Sequence, residues 1–272
     1  MSVLAGVLIL AGGESTRMGR PKALLPVPNL VPNSAPNSVR DSEQTLLEFH
    51  IRHALPVART YDVPIWIADN GKGFTWRDDV LGDTVADTFD NTVNDRANDW
   101  QANICHSHDY LPNEHSESKG GQSKGAGALS AICGAMSALD LNDTSKYLLV
   151  LSCDSLVGAD SLFDLLSNKR LDKTAPVLYV KSQNQSQDPT QTKALAQATT
   201  QKDYPLLGLY RCELFAKLCA YLERGERSVI KFLASVGAHS VPLPHDLQGL
   251  ANFNTPDEFY QAVQVLNQVS AK

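Results

Sequence analysis

Residues Val3–Leu10, VLAGVLIL, form an unbroken apolar run that leads into Gly12 and Gly13. A strand with one face in water alternates polar and apolar side chains, whereas a strand with no polar position must be covered on both faces. This run therefore predicts a parallel strand inside a sheet that carries helices on either side. The rest of the chain supplies its neighbours. Pro64–Ala68, Ala102–Cys105, Tyr147–Cys153, Ala175–Val180 and Leu206–Tyr210 read as further strands, with YLLVLSC at Tyr147–Cys153 the strongest. Helical segments lie among them. They are Leu46–Leu55 behind a Thr45 cap, the small-residue run Ala126–Leu139, Glu213–Glu223 and Val229–Ser235. A last helix has Pro256 at its first position, Thr255 as its cap and Asp257 and Glu258 in its first turn. Strands alternating with helices predict an α/β sandwich around a mostly parallel central sheet.

Three segments interrupt this rhythm: Pro28–Gln44, Pro112–Gly125 and Lys181–Lys202. All are polar, poor in aromatic residues and rich in Ser, Asn, Gln, Pro or Gly. They are expected to be mobile insertions within a single domain spanning 1–272, not linkers between domains. The formal net charge of −6 argues against a bulk nucleic-acid binder, so any anion site must be local. No run reaches the roughly 18 apolar residues of a membrane helix. Ser2–Leu10 lacks a basic flank and a cleavage site, and so reads as a strand and not as a signal peptide. The five cysteines are odd in number and scattered, with no C-x-x-C pair, which suits reduced thiols. The expectation is a cytoplasmic protein with neither membrane nor nucleic acid as partner.

The segment LILAGGESTRMGRPKALLP, Leu8–Pro26, carries the chemistry. A strand ending in glycines at the carboxyl edge of a sheet presents backbone N–H groups that can hold phosphate, because no Cβ blocks the approach. Arg17, Arg20 and Lys22 add positive charge in the same loop. Spacing excludes two familiar phosphate loops. A P-loop requires Gly-Lys-Ser/Thr directly before its helix, whereas Lys22 follows Pro21. A dinucleotide turn requires G-x-G-x-x-G, whereas this loop reads GGESTRMG. The bland alternative is a basic turn with no ligand. Asp154, just past the strongest strand, stands where open α/β sheets place their ligands, or else caps the following segment.

LAGGESTRMGRPKALL resembles the N-terminal signature of nucleotidyltransferases that handle molybdenum cofactor. YLLVLSCDSL is similar to the strand that carries their metal-binding aspartate. The segment from Tyr204 to Val241 and the segment NFNTPDEF, Asn252–Phe259, resemble the C-terminal part of molybdenum cofactor guanylyltransferases. The resemblance implies a Rossmann-like three-layer sandwich of the nucleotide-diphospho-sugar transferase type. It also implies transfer of GMP from GTP to the phosphate of molybdopterin, with Mg²⁺ as cofactor and pyrophosphate as the second product. Carried over residue by residue, Leu10, Ala11 and Gly12 line the nucleotide and Gly13 lies beside its phosphates. Lys22 holds the phosphates with help from Arg17, Asp154 holds the metal, and Asn252 and Asn254 lie on the pterin side. Other cofactor-biosynthesis proteins or an acceptor molybdoenzyme are the protein partners so implied.

Two departures bear on the base. Arg20-Pro21-Lys22 is the spelling common among the cytidylyltransferases of the same cofactor, and the family's Gly-Pro-Leu-Ala-Gly stands here as GALSA, Gly127–Ala131. CTP is therefore the alternative donor, and a non-catalytic nucleotide-binding regulator of the same fold is the alternative from another class. The resemblance places a guanine-reading aspartate after the third strand, which Asp109 fits better than Asp87. Asp69-Asn70, at the end of the second strand, either faces the nucleotide or makes a turn. His106, His108 and His115 read as solvated loop residues and not as a metal site. Cys153 lacks a histidine to activate it and reads as a buried strand residue.

Overall fold

The N-terminal apolar run is strand β1 (Leu4–Leu10) in a computed structural model that describes residues 3–13, 15–28, 43–82, 103–111, 127–139, 143–168, 174–183 and 201–270. Its partners are β4 (Ile65–Ala68) on one side and β6 (Tyr147–Ser152) on the other, both parallel to it. Beyond β4 lies β5 (Ile104–His106), also parallel. Beyond β6 come β8 (Asp203–Arg211), β7 (Val177–Lys181) and β9 (His239–Pro242). The order among the described residues is β5-β4-β1-β6-β8-β7-β9. Strand β8 runs antiparallel to both of its neighbours, while β7 and β9 are parallel to each other. The sheet is thus mostly parallel, with its reversal at β8.

Every residue of β6 is buried, and β1 sends alternate side chains to opposite faces. Val7 and Ile9 join one core with helix α1 (Leu46–Tyr61), α4 (Ala159–Leu166) and α8 (Pro256–Ser270). Leu8 joins the other with α3 (Ala128–Ser137), α5 (Phe215–Glu223) and α6 (Val229–Val236). Each fully buried Leu or Ile is worth roughly 1.5–3 kcal/mol relative to exposure. A polar substitution in the middle of β1 or β6 therefore breaks one of two cores. Two four-residue helices, α2 (Asp79–Gly82) and α7 (His245–Gln248), complete the helices of the described residues. None of these helices is long and apolar enough to cross a membrane.

Caps read from the sequence occur at both long helices. Thr45 Oγ1 accepts from Glu48 N (3.2 Å) while the Glu48 carboxylate accepts from Thr45 N (2.7 Å). Burial pushes the Glu48 carboxyl up, but the Thr45 N–H and the adjacent Arg77 guanidinium outweigh it, leaving the pKa below its usual value. At α8, Thr255 Oγ1 accepts from Glu258 N (3.3 Å) and Glu258 accepts from Thr255 N (3.2 Å).

The predicted insertions have paired ends. Pro26–Val27 (β2) and Gln44–Thr45 (β3) form a short antiparallel ladder, so Gln44 belongs to the body, buried beneath it. Lys181 lies in β7, and Ser182 N donates to Lys202 O (2.8 Å). Residues 29–42, 112–126 and 184–200 lie outside the described residues.

Candidate active site

Three backbone facts bring the functional residues to one edge. Strands β1, β4 and β6 are parallel, Ala11 N donates to Ala68 O (2.8 Å), and Cys153 N donates to Leu10 O (3.0 Å). The segments after all three strands therefore open side by side. After β1 the chain turns through Ser15 (φ 48°), one 3₁₀ turn at Thr16–Met18, Gly19 (φ 69°) and a second turn at Lys22–Leu24. Glycine suits the left-handed backbone at position 19, where a Cβ would be strained. The loop closes on itself, since Ser15 Oγ accepts from Lys22 N (3.1 Å).

A cavity of about 300 Å³ lies over this loop. Leu10, Ala11, Gly13, Arg17, Lys22 and Asp154 line it, together with Ser15, Ser152, Cys153 and Asn254. A second lobe of about 490 Å³ shares Leu10, Gly13, Ser152 and Asp154 with the first. Its other walls are Gly12, Ala68, Asn70, Leu206 and the start of α3 at Gly127, Ala128 and Ala131. Asp154 faces both lobes and is the one acidic side chain among the described lining residues.

Lys22 reaches across the first lobe. Its Nζ donates to Phe253 O (2.6 Å) and Asn254 Oδ1 (3.1 Å) and lies 5.4 Å from the Phe253 ring centre. Burial lowers the Lys22 pKa, with Asp154 and Glu258 opposing that shift. The far wall is pinned to the end of β6, because Phe253 N donates to Asp154 O (2.8 Å). Glu258 Oε2 accepts from Asn254 N (2.6 Å), so the cap of α8 also sets the Asn254 backbone. With the Asn252 amide oxygen turned inward, it accepts from Lys202 Nζ (3.2 Å), Phe253 N (3.2 Å) and Asn254 Nδ2 (2.9 Å).

Asn70 makes the turn (φ 57°, left-handed), and it also lines the second lobe. Its Nδ2 donates to Gly12 O (2.9 Å). A Cβ at Gly12 would stand 2.6 Å from the Asn70 side chain and would push it aside. Asp69 is buried and structural: it accepts from Gly71 N (3.0 Å) and Phe74 N (2.9 Å) and faces His106 Nδ1 at 3.2 Å. His106 is thus paired with a buried carboxylate instead of simply solvated. His108 is exposed, and His115 lies outside the described residues. No group of three His, Cys, Asp or Glu side chains suited to a metal gathers among the described residues. Burial, then the charge of Asp154, pushes the Cys153 thiol well above its ordinary pKa, as suits a packed strand residue and not a nucleophile.

Asp109 is not brought to the cleft. It lies in the segment 107–111, which runs along α3 through Tyr110 N to Ser130 O (3.1 Å), and among the described residues it lines neither lobe. Asp87 lies outside the described residues. Arg20 is exposed and lines neither lobe, whereas Arg17 lines the first. Sequence reasoning missed Ser15, Lys202 and Lys72. Lys72 donates from Nζ to both Gly12 O and Gly13 O at 3.2 Å. Its signal was available, as a basic residue in an Asn-Gly turn directly after a parallel strand.

No protein-family model matches this sequence. Among solved structures, the fold is similar to that of molybdopterin-guanine dinucleotide biosynthesis protein A from Archaeoglobus fulgidus. The identity is 15%, 97% of this chain and 99% of that chain are covered, and the TM-score is 0.51. It is also similar to bifunctional IspDF from Campylobacter jejuni (13% identity, 95% of this chain and 54% of that chain, TM-score 0.52). A third is 2-C-methyl-D-erythritol 4-phosphate cytidylyltransferase from Francisella tularensis (13% identity, 97% and 99% covered, TM-score 0.50). At such identities what is shared is the fold, of the nucleotide-diphospho-sugar transferase type.

Proposed function

We propose that this chain is a nucleotidyltransferase that joins an acceptor phosphate to the α-phosphorus of a nucleoside triphosphate and releases pyrophosphate. GTP is the donor and the phosphate of molybdopterin the acceptor. The observation that carries this reading is the single cleft on which the glycine loop, Arg17, Lys22 and Asp154 converge at the ends of β1 and β6. The attacking group is already an anion, so no side chain need remove a proton from it. The difficulty is to bring negative charges together, which positioned cations and amide donors relieve. Lys22 exchanges its bonds to Phe253 O and Asn254 Oδ1 for phosphate oxygens, and Arg17 offsets charge on the departing pyrophosphate. Asn252, Asn254 and Lys202 form the acceptor side.

Asp154 fits a magnesium ion shared with the substrate. One carboxylate opposite an anion loop suits Mg²⁺, which keeps waters and takes phosphate oxygens, whereas an all-protein cage requires ligands that the described residues do not gather. When bound, Mg²⁺ would neutralise charge on the phosphate oxygens.

The guanine preference is supported by the C-terminal resemblance and by the printed name of the Archaeoglobus neighbour. CTP is the second reading, favoured by Arg20-Pro21-Lys22 and by the printed name of the Francisella cytidylyltransferase. A thermal-shift panel of GTP, CTP, ATP and UTP, each with and without Mg²⁺, separates them. A nucleotide at 100 times its Kd stabilises by about 2.7 kcal/mol. GTP alone should raise the melting temperature strongly. A larger rise with CTP would replace the guanylyl reading, and no rise with any nucleotide would remove the transferase reading altogether.

A further inference from the structure

Loop 69–74 lies against the glycine loop. Asp69 fixes that loop by accepting from Gly71 N and Phe74 N, and Lys72 Nζ lies 5.7 Å from the Phe74 ring centre. From this base Lys72 donates to Gly12 O and Gly13 O, and Asn70 Nδ2 shares Gly12 O. No peptide bond among the described residues is cis. In a trans peptide the carbonyl oxygen and the following N–H point to opposite sides of the chain. Holding Gly12 O toward the 69–74 loop therefore turns the Gly13 N–H away from that loop. Gly13 lines both lobes, and the first is the one that the 69–74 loop does not line.

We propose that Lys72 is a positioning residue of the anion loop: it pins the two glycine carbonyls back so that the Gly13 N–H faces a bound phosphate. The inference rests on the reading of this cleft as the nucleoside triphosphate site. Lys72 itself is exposed and bonds to carbonyl oxygens, so its role differs from that of Lys22, which lines the first lobe. Without Lys72, Asn70 alone holds Gly12 O and Gly13 O keeps the Ser15 hydroxyl at 3.3 Å. Each glycine carbonyl then keeps one tie instead of two, so the Gly13 N–H is held less firmly toward the anion.

The test compares wild type, Lys72→Met and Lys72→Arg by calorimetric titration with Mg²⁺-GTP, Mg²⁺-CTP and inorganic tripolyphosphate, which has no base to recognise. The Gly13 amide resonance is followed in the unliganded proteins. Lys72→Met should bind the preferred nucleotide and tripolyphosphate about tenfold more weakly, as expected when charge-assisted hydrogen bonds are lost. It should also shift the Gly13 amide before any ligand is added and keep the wild-type melting temperature. Lys72→Arg retains donors of similar reach and should restore most of the affinity. If wild type binds and Lys72→Met binds equally well, the inference alone is wrong. Weakened binding with an unmoved Gly13 amide would also overturn it, in favour of direct contact between Lys72 and phosphate. Wild type that binds neither nucleotide nor tripolyphosphate would remove the transferase reading and this inference together.

Discussion

His50 lies on α1 with 0% exposure, and its Nε2 stands 3.0 Å from Ser155 O, one residue beyond Asp154. A carbonyl oxygen only accepts, so Nε2 carries the proton, and Nδ1 is left as a buried lone pair with no partner. Burial pushes the His50 pKa down from 6.5 to about 4, with the Ser155 carbonyl opposing and His53 adding to the fall. The unfolded chain takes up a proton near 6.5, and the folded chain does so only near 4. Between those values the unfolded state binds more protons. The stability that His50 supplies is therefore complete above pH 6.5 and is lost as pH falls toward 4. Each pH unit of that interval is worth about 1.4 kcal/mol, so the loss is about 3 kcal/mol, a large part of the 5–15 kcal/mol typical of a domain. Urea unfolding of wild type and His50→Gln at pH 7, 6, 5 and 4.5 isolates the effect. Glutamine keeps an N–H for Ser155 O but does not titrate, while carboxylates elsewhere act equally in both proteins. The variant should start less stable at pH 7 and close most of the gap by pH 4.5. Parallel stability curves over the whole range would refute the argument.

Three further outcomes are expected. Lys22→Ala and Asp154→Ala should each keep the wild-type melting temperature and lose about 10²–10³ in transferase rate, the usual cost of one charge-stabilising group; near-normal turnover of both would mean the reaction occurs elsewhere. Gly134→Ala should cost about 1–3 kcal/mol or more of stability, read as a lower denaturation midpoint, because its Cβ would overlap His108 O. An unchanged midpoint would show that segment 107–111 does not lie on α3. Asp109→Asn should leave GTP affinity within about twofold, since buried partners cost about 1–3 kcal/mol only when they are lost; a tenfold loss would make Asp109 a base reader after all.

The fold was legible where burial alone decides it. Strands β1 and β6 are covered on both faces, so their apolar runs declared them. Strand β9 was missed because only Val241 among its four residues is buried, which leaves no apolar pattern to read. The direction of β8 was not written in its side chains either. It pairs antiparallel with β7, and the sequence between them, Lys181–Lys202, is polar and lacks the apolar pattern that a crossover helix packed on the sheet would show. Parallel neighbours require such a crossover whereas antiparallel ones do not, so the reversal was present in the connection and not in the strand.

The site divides along the same line between local and distant information. Gly12, Gly13, Arg17 and Lys22 belong to one short loop and Asp154 to one strand end, so the sequence could name them together. The contact of Lys22 with Phe253 O joins residues 231 positions apart, and no local pattern announces it. It can form because Phe253 N is bonded to Asp154 O and because the Thr255–Glu258 cap fixes Asn254. The wall at residues 253–254 is therefore built on the backbone at Asp154, and a change in either moves the other. Base recognition had no comparable anchor. Among the described residues the second lobe is walled by Asn70, Asp154, Leu10, Leu206, several small side chains and the backbone at Gly127, directly after residues 112–126. On the proposed reading, discrimination between guanine and cytosine turns on a few hydrogen-bonding groups. The resemblance places one of them between β5 and α3, where this sequence departs most from the signature that it otherwise resembles.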